Sequence, residues 1–311
     1  MLRRRDVYRR VLQPCEPGIL DDMAPPLADL LRRRLGQQLF AWVAGPEGPR
    51  RRDRIETADG PRWFDDDRPI RQVHGDAAMF VGGLRALLLQ SLHPLAMAGV
   101  AAHSGYRGDP WGRLQRTGHF LAVTTFGSAA DAEAMVARIQ KIHTRVAGIA
   151  PDGRRYSASD PHLLKWVHVV EVDSFLRAHQ RYGAEPLDAA ACDGYVEDTA
   201  RVAEALGVVA PPVTVAELRD QLAAYRPELA GTPEARSAAR FMLLNPPVPL
   251  VFRPAYPALG AAAVGLLPVW ARLPLWLPYL PVTEAVAGRA AGELFTRTVR
   301  WAMTPAEDLA S

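Results

Sequence analysis

Apolar residues recur at the spacing of one helix face along most of the chain, and strand-like alternation is scarce. The pattern predicts an all-α fold without internal repeats. Residues 1–75 form a helical lead-in whose clearest helix is "PLADLLRRRLGQQLFAWVAG", residues 26–45. The run "AAMFVGGLRALLLQSLHPLAMAGVAAHS", residues 77–104, is apolar nearly all round, which places it at the centre of a domain rather than on its surface. Pro94 removes a backbone donor inside that run and should kink or split it.

Three well-punctuated helices follow. In the first, Asp109 suits the N-cap, Pro110 the first helical position and Gly127 the end. Arg113, Arg116, Thr117, Phe120 and Thr124 then share one face, and His119 points elsewhere. The second starts at Ser128 with Asp131 three residues on, and its pattern runs to about Gly148. Its apolar stripe is Met135, Val136, Ile139, Ile142 and Val146, with His143 inside it. The third takes Asp160 as cap, Pro161 as its first residue and Gly183 beyond its end, with Leu164, His168, Glu171, Val172 and Phe175 on its inner face. Each of the three thus carries a polar group on a side expected to be buried, where it needs partners or a ligand.

The tail changes character. Residues 245–282 are apolar and rich in proline, and a helix from about Thr283 to Met303 follows. Arg253 and Arg272 bracket a proline-broken run shorter than the roughly 20 apolar residues a spanning helix needs. A lid over a hydrophobic tunnel, or shallow membrane contact through 245–282, suits it better. The expected organisation is a single globular helical domain: lead-in 1–75, core 76–240, and apolar segment with C-terminal helix 241–311.

Composition narrows the partners. With 311 residues and 49% apolar content, the chain can bury a substantial core. The formal net charge is +3, and the Arg-rich pieces "MLRRRDVYRR", "LLRRRLG" and "GPRRRDR" read as solvated helix ends or loops. Basic and aromatic residues do not interleave as base-stacking surfaces require, so nucleic acid is not an expected partner. Cys15 and Cys192 form neither a disulfide framework nor a zinc cluster and suit a reducing cytosol. Tyr8, Arg9, Arg10 and Gln13 interrupt the place of an export signal's apolar stretch, so the expected location is cytoplasmic.

The polar residues admit bland and functional readings. A lone histidine on an apolar face, such as His143, is as a rule a hydrogen-bonded core residue. His168, one turn before Glu171, is either a ligand oriented by a carboxylate or half of a buried pair. His93 before the proline break, and His103 and His74 in loop positions, carry less signal. Arg113, Arg116 and Thr117 are either an exposed face paired with acids or two cations and a hydroxyl set for an anionic ligand, such as a haem propionate, a carboxylate or a phosphate. There is no H-x-x-x-H, H-E-x-x-H or cysteine pair, no glycine-rich phosphate loop after a strand and no nucleophile elbow. An axial histidine with arginine-held carboxylates, the logic of haem, fits what remains.

Three blocks in order, "LLLQSLHPLAMAGVAAHS", "DPWGRLQRTGHFLAVTTFG" and "IQKIHTRVAGIAPDGRRYSASDPHLLKWVH", resemble the catalytic domain shared by latex-clearing proteins (rubber oxygenases) and MpaB-type oxygenases. The resemblance implies a globin-like helical core, one haem b, and dioxygen as co-substrate in cleaving an isoprenoid C=C bond. The family's Arg-x-x-Lys-Thr pattern falls on Arg113, Arg116 and Thr117, its proximal haem histidine on His143, and a second histidine of the haem environment on His168. Arg116 stands where some rubber oxygenases have an iron-binding lysine. A guanidinium stays protonated and is a very poor iron ligand, so the resemblance implies an open or water-bound sixth position, with Arg116 polarising oxygen or gripping substrate.

The expectation is a cytoplasmic haem b oxygenase acting on a lipophilic small molecule, with an electron donor still to be identified. Without an export signal, a small intracellular isoprenoid suits it better than polymeric rubber. The alternatives are a non-catalytic haem or lipophile carrier and a cofactor-free helical protein that docks on membranes through its tail.

Overall fold

The computed structural model describes residues 27–103, 110–245 and 248–304. The lead-in supplies α1 (Leu27–Ala44), α2 (Gly48–Thr57) and α3 (Pro69–His74), and the apolar run supplies α4 (Met79–Gln90) and α5 (Pro94–His103). The three helices with polar faces are α6 (Pro110–Phe126), α7 (Ala129–His143) and α8 (Pro161–Tyr182). Then come α9 (Ala189–Leu206), α10 (Val215–Ala224), α11 (Pro233–Leu244), α12 (Tyr256–Gly265), the single turn α13 (Val269–Arg272) and α14 (Arg289–Met303). Asp109 and Cys15 lie outside the described residues, as does the Arg113 side chain.

The central pair is α4 against α8. Val81, Leu88 and Leu89 of α4 are fully buried, as are Trp166, Val169 and Val170 of α8. Close approach depends on Gly82, where a Cβ would stand 2.7 Å from Phe175 Cδ1 and 3.1 Å from the Ser174 carbonyl. Arg85 is buried in this most apolar helix, yet each of its three side-chain nitrogens makes a hydrogen bond. It donates to Asp173 Oδ2 at 2.7 Å, Ser174 Oγ at 2.6 Å and the Leu266 carbonyl at 2.9 Å.

Pro94 splits the apolar run as expected, and α4 and α5 meet at 107°. Among the described residues no single helix is long and apolar enough to cross a membrane. His93 caps α5: its Nδ1 accepts from the Ala96 N–H at 3.4 Å.

Two expectations need correction. The pattern carried the second polar helix to about Gly148, but α7 ends at His143 and the chain turns into β1 (Ala147–Ile149), antiparallel to β2 (Arg155–Ser157). Asp152 and Gly153 make the turn, with Gly153 at φ +84°, a conformation glycine adopts without a Cβ penalty. Gly148 lies directly under Tyr156, where a Cβ would come 2.5 Å from the hydroxyl. On α8, the expected inner face is only partly the deepest one: Val172 and Phe175 are buried, whereas Leu164, His168 and Glu171 are half-buried. The deepest stripe carries Trp166, Val170, Asp173 and Ser174, because α4 lies on that side.

The main apolar cluster extends from Trp63 to Leu275, and a smaller one joins Leu39 of α1 to Ala77 and Val299. Arg32 of α1 also donates to the Thr304 carbonyl at 2.5 Å. Around the proline-rich stretch, Leu250, Val251, Leu273, Trp276, Tyr279, Leu280 and Val282 are exposed. Arg272, by contrast, is buried and donates to Glu284 Oε1 at 2.6 Å.

Candidate functional site

Accounting for ring nitrogens separates the histidines. His74, at the end of α3, places Nδ1 2.8 Å from Thr125 Oγ1 and Nε2 3.3 Å from Tyr195 Oη. His103 reaches Tyr156 Oη at 3.1 Å, and His93 and His162 both reach Glu228. His143 Nδ1 and His168 Nε2 are buried and have no hydrogen-bond partner among the described residues. Such an orphan carries a desolvation cost, and it is a donor atom open to a ligand.

Burial also fixes the protonation of these two rings. It pushes His168 down to about 4, with Lys165 adding to the effect, and lowers His143 in the same way. Both imidazoles are therefore neutral at pH 7, the form that ligates metals. His179 Nδ1 is also unpartnered, but its Nε2 lies against Gly183, where a Cβ would stand only 3.0 Å away.

Local sequence places each ring. The Ser128 hydroxyl accepts from the Asp131 N–H and starts α7, whose last residue is His143. Asp160 accepts from the His162 N–H at 2.9 Å and starts α8, which carries His168 at its eighth position. Gln90 clasps the neighbourhood: its amide donates to Glu171 Oε1 at 3.3 Å and its carbonyl accepts from Trp166 Nε1 at 3.3 Å. Helix α9 packs on both α7 and α8.

On α6, Arg116 and Thr117 are exposed, Phe120 is half-buried and Thr124 is buried, donating to the Phe120 carbonyl at 2.9 Å. The helix descends from a polar end into the core. His119 was set aside by the face count, yet burial and the charges of Arg51, Arg138 and Arg54 lower its pKa. Cations from α2 and α7 thus converge near α6, and Arg54 pairs with Asp131 at 2.5 Å. Sequence reading missed this convergence because α2 lies some eighty residues before α7, and nothing in a charge run reveals its spatial neighbour.

The site thus sets two neutral imidazoles, each with a ring nitrogen unpartnered among the described residues, on an all-α scaffold with cations near one of its helices. Residues 71–302 match the family described as ER-bound oxygenase mpaB/B'/rubber oxygenase, catalytic domain, and the chain belongs to that family.

Over 100 residues the chain is 32% identical to the uncharacterized proteins Rv2237 of Mycobacterium tuberculosis and Mb2261 of Mycobacterium bovis. The match covers 32% of this chain and 38% of each relative, so the chain spans well under half the length of the curated relatives it matches. No solved structure matches.

Proposed function

We propose that the protein is a haem b-dependent oxygenase acting on a lipophilic small molecule, with His143 as the iron's protein ligand. The observation that carries this reading is the pair of neutral imidazoles at His143 and His168, each with one buried ring nitrogen that has no partner among the described residues, in a chain of an oxygenase family. Haem, when bound, supplies the iron that activates dioxygen for attack on an alkene C=C bond, the electronics being the cofactor's own.

The chain's residues bind and orient. Burial keeps both imidazoles unprotonated, so His143 presents a lone pair and His168 a second neutral ring beside Glu171, which Gln90 holds in place. Arg113 and Thr117 recognise carboxylates such as haem propionates, and Arg51, Arg54 and Arg138 extend the positive field. Arg116, permanently protonated, stabilises developing negative charge or grips substrate and does not ligate iron.

A lipophilic substrate partitions into bilayers, and the exposed Leu273, Trp276, Tyr279, Leu280 and Val282 support peripheral membrane contact through the 245–282 segment. Cytoplasmic location and a separate electron donor belong to the same proposal. The deciding experiment is an absorption spectrum before and after dithionite, with a pyridine haemochrome assay. A Soret band at near one haem b per chain is the expected result, and failure to take up haem on reconstitution would overturn it. Haem without an aldehyde or ketone product from a prenylated alkene and oxygen would make the protein a carrier.

A further inference from the structure

Three segments far apart in sequence meet at His93, His162 and Glu228. Their ligand atoms lie within 4.8 Å of one another. His93 Nε2 is 3.3 Å from Glu228 Oε2, and His162 Nε2 is 2.9 Å from both carboxylate oxygens. We propose that these residues form a metal site for a divalent ion of the zinc class, separate from His143 and His168.

The spacing is that of a chelate. Donors held about 2.0–2.1 Å from a tetrahedral ion stand about 3.3 Å from each other. An ion therefore enters with small adjustments of the side chains. Two imidazoles and one carboxylate also make a donor set that zinc takes, with a further position left for water.

The surroundings hold the donors in place. Tyr225 Oη donates to the His162 carbonyl at 2.8 Å and lies 3.5 Å from His162 Nδ1, and the two rings lie 4.7 Å apart, tilted by 39°. This turns Nε2 of His162 towards Glu228. His93 is only 1% exposed and is wedged against Trp166 and Tyr225, with ring centroids 5.9 and 6.3 Å away. The Ala230 N–H donates to the Leu92 carbonyl at 2.8 Å, tying the loop of Glu228 to that of His93. Access is open from the other side, since the His162 and Glu228 side chains are 52% and 37% exposed.

The site is distinct from the haem candidates. His162 precedes His168 by six residues on α8, about 9 Å along the axis and on another face. Binding takes the Nε2 atoms that now donate to Glu228, so each neutral imidazole carries its proton on Nδ1 instead. One contact opposes it: with metal on Nε2, the His93 proton belongs on Nδ1, where the cap to Ala96 is given up. At 3.4 Å that cap is a long bond. A bound ion would pin the starts of α5 and α8 to the link between α10 and α11.

The test uses the full chain as purified, stripped with a chelator and dialysed against Zn2+ or Co2+. The expected result is about one ion per chain beyond any haem iron, with visible d–d absorption for Co2+. His162→Ala and Glu228→Gln should each weaken retention at least about tenfold while leaving circular dichroism and the Soret band unchanged. Wild-type protein that retains no ion, or variants that retain it as tightly as wild type, would overturn the proposal. Because the readout is metal content, failure of the haem reading leaves this result standing, and the reverse also holds.

Discussion

Arg85 Nη2 and Asp173 Oδ2 lie 2.7 Å apart in the deepest layer of the protein, where α4 crosses α8. Asp173 also accepts from Arg177 Nε at 2.7 Å, but Arg177 is largely exposed. Removing Arg85 leaves a buried carboxylate with one surface partner, a change that costs about 3–5 kcal/mol. Arg85→Met should therefore lower the urea midpoint sharply, and Arg85→Met with Asp173→Leu should recover much of the loss. Equal midpoints for the two variants would show that the pair contributes through packing alone.

Gly82 sets how closely those helices approach. Gly82→Ala puts a methyl group 3.0 Å from Phe175 Cα and 3.1 Å from the Ser174 carbonyl, backbone atoms that cannot swing aside. The expected cost is about 1–3 kcal/mol. Thermal unfolding checks it, with Gly118→Ala as control, since no atom lies within 4 Å of a Cβ there.

Stability should fall with acid for a definable reason. Burial holds His168 at about 4 and His74 at about 3, against an ordinary value of 6.5. In that window the unfolded chain binds more protons than the folded one, so the stabilisation is full above about 6.5 and is lost as pH drops towards 4. For His168 the loss is about 3 kcal/mol. His168→Gln should flatten the fall in urea midpoint between pH 6.5 and 4. An unchanged slope would mean that this ring titrates freely.

His143→Ala should lower haem retention at least about tenfold, whereas His168→Ala should keep haem and shift its spectrum. Haem content by pyridine haemochrome, measured beside circular dichroism, separates ligand loss from unfolding. Full haem content with an unaltered spectrum in His143→Ala would transfer the ligand role to His168.

Trp276 has φ +57° and an exposed side chain. Trp276→Ser with Leu280→Ser should reduce co-sedimentation with anionic phospholipid vesicles several-fold while leaving haem content unchanged. Equal sedimentation of wild type and variant would remove the membrane role from this segment.

Much of the scaffold was legible because its signals are local. Ser128 and Asp160 mark helix starts by accepting bonds from residues three and two positions on, Pro161 marks one through its fixed φ, and Pro94 acts on its own turn. The hairpin was misread because the apolar positions at Ile142 and Val146 continue the helical period past His143, while the Asp152–Gly153 turn signal lies further on. His143 and His168, each with a ring nitrogen unpartnered among the described residues, stand out in the sequence because an imidazole in an apolar stripe needs explaining wherever it occurs. The cluster at His93, His162 and Glu228 was not, because its members are 69 and 66 residues apart and no spacing rule connects them. Arg85 was equally hidden, its partner lying 88 residues on and beyond three further helices.

The corner at Ser91–His93 reaches beyond packing. Unbroken, residues 79–103 would make an apolar rod about 37 Å long, more than the roughly 30 Å of hydrocarbon in a bilayer. Its composition passes for a spanning segment, and the 107° bend divides it into two pieces each too short to cross. One imino acid thus turns a stretch with the length of a span into two short helices, the first of them buried against α8.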